Sequence, residues 1–81
     1  MYYTQTIKDK IYTMHFTGEG LGTLWVRSVD GANKYYSNST IVFKKSGKIR
    51  YGKENGWHLP VEFMINCDKI YKRLLKINAF I

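Results

Sequence analysis

The chain has 81 residues, a single Cys and a formal net charge of +7. That length suits one domain with a small core, worth about 3–5 kcal/mol of net stability, so residues 1–81 are read as a single small basic domain. Apolar content of 44% with 16% aromatics excludes a disordered segment, the lone Cys67 excludes an internal disulfide or a cysteine-based metal site, and no apolar run approaches the roughly 18–20 residues of a membrane span.

Residues 2–8 are rich in Tyr, Thr and Ile, which suit a pleated surface. They hold no apolar core of a secretory signal, and with the unpaired thiol this places the expected location in the cytoplasm, a host cytoplasm if the gene is viral. After the polar break at 8–10, residues 11–16 alternate. Tyr12, Met14 and Phe16 fall on one face and Ile11, Thr13 and His15 on the other. Gly18, Gly20 and Gly22 read as a flexible turn, because a phosphate loop needs a helix behind it and a strand-like sequence follows.

Residues 24–29 read as a strand, with Leu24 and Val26 opposite Trp25, Arg27 and Val29. Asp30-Gly31 signals a turn. A short return strand is expected at 34–36, a break at Asn38-Ser39, and a new strand over 40–45. Ser46-Gly47 then turns the chain into 48–51, the clearest hairpin in the sequence. This turn is expected to set Lys45 across from Lys48.

From Trp57 to Ile65 every odd position is apolar, which favours an extended edge segment limited by Pro60. Beyond it, Phe63, Cys67, Ile70, Leu74, Ile77 and Ile81 step by four and three, the spacing of one helix face. With Asn66 as N-cap, the spacing predicts a helix over 67–78. A helix opening at Pro60 is the second reading. The fold class is therefore α+β: a small twisted antiparallel sheet or partly open barrel of five or six strands, with one C-terminal helix laying Ile70, Leu74 and Ile77 on the sheet.

Two basic clusters stand out. The hairpin carries Lys44, Lys45, Lys48, Arg50 and Lys53 with no acid between them. Tyr51 and Trp57 follow as flat rings able to stack beside cations. The helix carries Lys69, Lys72, Arg73 and Lys76 at i, i+3, i+4 and i+7, one stripe roughly 130° from the apolar one. The bland reading of both is solvated surface: Lys on a hairpin guards against edge pairing, and charged helix faces are common. The bias toward one sign favours a partner, since no acid follows Asp68. Of the thirteen cations only Arg27, Arg50 and Arg73 are Arg, so attraction to a phosphate backbone is expected over base-edge readout.

Catalytic signals are weak. His15 and His58 are the only histidines, the acids are scattered, and His58 near Glu62 is the one conceivable acid–base pair. The chain is thus expected to be no enzyme, with no cofactor and no metal. The leading expectation is a binding module for a polyanion, nucleic acid first. A phage or mobile-element inhibitor that docks on an acidic host protein surface, in anti-defence or host takeover, is the alternative. Its variant sequesters an anionic nucleotide. The Lys-, Ile-, Tyr- and Asn-rich composition of A/T-rich coding motivates it. A subunit of a larger assembly is the third. No membrane partner is expected, and oligomeric state is left open.

Overall fold

The computed structural model of the protein describes residues 1–31, 34–52 and 59–78, with the backbone alone over 34–40. The elements are β1 (Tyr2–Ile7), β2 (Lys10–His15), β3 (Gly20–Ser28), β4 (Lys34–Phe43), β5 (Ile49–Tyr51) and α1 (Val61–Ile77). Each strand pairs antiparallel with its neighbour in sequence, in the order β1-β2-β3-β4-β5. The expected antiparallel sheet is present in its five-strand form, and it is an open meander whose two edges do not meet.

Alternation does the sorting. Tyr12, Met14 and Phe16 from β2 and just beyond, Leu24 and Val26 from β3, Ile41 and Phe43 from β4, and Ile49 from β5 are buried on one face. α1 lies against that face and contributes Phe63, Cys67, Tyr71 and Leu74. Phe43 meets Tyr71 edge-on with ring centroids 5.0 Å apart, a favoured aromatic geometry. The partner residues of each strand turn to the other face, where no described element lies over them.

The helix differs from the expectation of residues 67–78. It begins six residues earlier, at Val61, with Pro60 as its N-cap and no side-chain cap bond. Pro fits there because the N-terminal N–H groups need no partner inside the helix. The odd-numbered apolar residues misled because apolar does not mean buried: Val61 is 66% and Ile65 47% exposed, and only Phe63 between them is covered. Asn66 sits inside the helix, and its amide donates to Gln5 Oε1 at 3.0 Å and Tyr3 Oη at 3.3 Å. At the far end Ile77 is 61% exposed. The stripe facing the sheet is Phe63, Cys67, Tyr71 and Leu74, with Ile70 and Leu75 on its margins.

Two strand expectations also change. Gly20–Gly22 belongs to β3 and not to a turn, because Gly22 lets β3 approach Phe43. A Cβ at Gly22 would fall onto the Phe43 ring and 2.9 Å from the His15 carbonyl oxygen. Residues 34–43 form one strand, not two. The Asn38-Ser39 region is absorbed by a register shift: Gly22 pairs with Ile41 but Leu24 with Ser37, the signature of a β-bulge.

Candidate functional site

The β4–β5 hairpin turns over residues 44–48. Gly47 N–H donates to the Lys44 carbonyl and Lys44 N–H to the Lys48 carbonyl, both at 3.0 Å. Gly47 has φ +91°, so the loop has the pattern of a three-residue hairpin turn closed by a residue that glycine serves best. The backbone pair across the turn is therefore Lys44 with Lys48. Lys45, which the sequence sets opposite Lys48, stands at the tip because the loop holds one residue more than a two-residue turn.

That tip rests on the helix. The Cα of Gly47 points at α1 so closely that an added Cβ would lie 3.5 Å from Lys72 Cγ and 3.7 Å from Leu75 Cδ1. Tyr71 fixes the approach from beneath: its hydroxyl donates to the Lys44 carbonyl at 2.6 Å, with the Gly18 carbonyl 3.2 Å away. The two basic clusters thus share a border. Lys44, Lys45 and Lys48 on the tip and Lys69, Lys72, Arg73 and Lys76 on the helix are all exposed.

Little within the described residues neutralises this surface. Lys45 Nζ lies 3.7 Å from Glu19 Oε2 with both side chains open to water, and such a pair is worth about 0–1 kcal/mol. Asp68 lies behind the stripe, half-buried. Burial raises its carboxyl pKa, against the lowering effects of a hydrogen bond from Tyr51 and the charge of Lys72.

The remaining site candidates separate. Arg50 is exposed, but it pairs in register with Val42 and lies on the opposite face from Ile49, so it points away from the helix. Tyr51 is half-buried against the core, and its hydroxyl donates to Asp68 Oδ1 at 3.4 Å. Burial, followed by the nearby Cys67 and Asp68, raises its phenol pKa. Much of the ring expected to offer a flat contact is therefore used inside the fold. Lys53 and Trp57, and the pair His58–Glu62 as a unit, lie outside the described residues.

Tyr2 and Trp25, aromatics whose sequence pattern suits core or half-buried strand positions, come together with His15 outside the core. On the face away from α1, Tyr2 stacks on His15 with centroids 4.6 Å apart and 16° between planes, and Trp25 stands 5.9 Å from Tyr2. The signal was present in the alternation, which set His15 and Trp25 opposite the core residues. What was missing was the pairing that brings Tyr2 of β1 beside His15 of β2.

No three His, Cys, Asp or Glu side chains cluster as a metal site among the described residues, and no described helix is long and apolar enough to cross a membrane. Compared with known proteins, the chain matches no family model, no curated protein and no solved structure.

Proposed function

We propose that this chain is a non-enzymatic module that binds a polyanion, with nucleic acid as the leading partner, through the joined basic surface of the β4–β5 hairpin and α1. The observation that supports the reading is the seat of Gly47 against Lys72 and Leu75. It makes one surface of two clusters that are more than twenty residues apart in sequence. Lys44, Lys45, Lys48, Lys69, Lys72, Arg73 and Lys76 engage phosphates as diffuse point charges, which suits Lys better than base-edge reading does. Lys53 and Trp57 adjoin the hairpin in sequence and belong to the same proposal.

Fluorescence anisotropy with a labelled oligonucleotide at about 50 and 200 mM salt tests it. Six engaged phosphates correspond to an affinity loss on the order of 10³-fold over that range, through counterion release. Lys48→Glu and Lys72→Glu should each weaken binding and flatten the salt slope. Affinity that ignores both salt and charge reversal would overturn the reading. Capture of an acidic host protein that survives nuclease treatment, with no nucleic-acid binding, would favour the inhibitor reading instead.

A further inference from the structure

Antiparallel sheets commonly leave one face to water and dress it with polar residues. Here the face away from α1 carries Thr4 and Thr13, whose hydroxyls lie 3.0 Å apart, but beside them lies a set of touching aromatic rings. A purely structural cross-strand pair gains by covering its rings. Tyr2 instead keeps 60% of its surface open while stacked on His15 and close to Trp25.

The strands that form this face carry charge of one sign, while at its ring-bearing end Glu19, in the turn before β3, lies 3.7 Å from Lys45 Nζ. None of the five strands contains an Asp or Glu. Arg27 follows Trp25 by two residues, on the same face, and is exposed. Arg50 lies on this face too, through its register with Val42. Tyr2 and His15 stand at the same end of the sheet as the hairpin tip: Tyr2 pairs with His15, His15 with Thr23, and Gly20 with Phe43, the last residue of β4 before the turn. The β4–β5 hairpin therefore borders both the helix-side cations and the ring-bearing face.

We propose that the sheet face turned away from α1 binds single-stranded nucleic acid, its unpaired bases stacking on the Tyr2–His15–Trp25 rings while Arg27 and Arg50 meet the phosphates. This rests on the polyanion reading and narrows it. A duplex keeps its base faces inside and can use only the cations, whereas a single strand can use rings and cations together. Flat rings on strands that hold no Asp or Glu suit that partner, and a second +7 copy of the chain would bring like charge against like.

The test uses the full chain, with the Trp25 signal taken as the difference in fluorescence between the parent and Trp25→Leu. A 12-residue oligothymidylate and a 12-base-pair duplex are titrated at the same salt. The single strand should quench Trp25 and bind more tightly than the duplex. Tyr2→Ala and Trp25→Leu, both checked for native circular dichroism, should each weaken the single strand about 5- to 150-fold, the range of one base–aromatic stack, and leave the duplex within about twofold. Because Tyr2 is exposed, Tyr2→Ala keeps the test valid if Trp25→Leu fails to fold. If both variants bind the single strand like the parent while Lys72→Glu weakens it, the stacking face is overturned and the polyanion reading stands. If neither oligonucleotide binds, both fall. If sedimentation shows a dimer that Tyr2→Ala dissolves, the face belongs to a second copy and the proposal is wrong.

Discussion

A single phenol joins three parts of the chain. Tyr71 has one proton to donate and two carbonyls in reach, at Lys44 and Gly18, and the shorter contact, to Lys44, takes most of it. Burial raises its pKa, so the hydroxyl stays a donor through the neutral range. Cys67, one turn earlier on the same buried stripe, is fully covered. Burial, then the Asp68 charge, pushes its thiol from 9.0 up to about 12. The folded state thus holds this proton more tightly than the unfolded one. Its stabilisation is complete below about pH 9 and is lost as pH climbs toward about 12, at a limiting slope of about 1.4 kcal/mol per pH unit for one proton. Guanidinium unfolding between about pH 8 and 10.5 should show the midpoint falling with pH, and falling less steeply in Cys67→Ala. Parallel slopes in the two proteins would mean that the folded thiol already ionises. The sequence disclosed that Cys67 lies on an apolar stripe. It could not disclose Tyr51 as a neighbour, since that contact spans β5 and α1.

The elements were legible where local chemistry decides them. Gly47 after Ser46 located the hairpin, and alternation in residues 11–16 assigned the core face of β2 correctly. They were illegible where tertiary contact decides. Asn66 has the right chemistry for an N-cap, yet its amide is used on Gln5 and Tyr3, residues more than sixty positions away. Val61 and Ile65 continue an apolar alternation but face water. Gly22 carries no local sign of its function, which is to admit the Phe43 ring. Gly22→Ala should therefore cost about 1–3 kcal/mol by overpacking, a large share of what so small a core supplies. Thermal melts followed by circular dichroism should show a midpoint many degrees lower. A variant that melts with the parent would mean that β3 and Phe43 do not approach this closely in solution.

Across the whole molecule, the cations were countable from the sequence but their arrangement was not. Whether hairpin and helix lysines share a side depends on strand order, and only the meander brings Gly47 onto Lys72. The same meander left Arg50 and the Tyr2 rings on the far side, a division no linear pattern contains. Its connectivity also has a kinetic consequence. Every rung of the sheet joins strands adjacent along the chain, so each closure spans a short loop and loses little chain entropy. Among the described residues the distant ends meet through α1, by Asn66 to Gln5 and Tyr71 to Gly18. Assembly should accordingly run quickly for a β-rich chain, with helix docking last: in stopped-flow refolding, Phe63→Leu should mainly speed unfolding while the refolding rate barely moves.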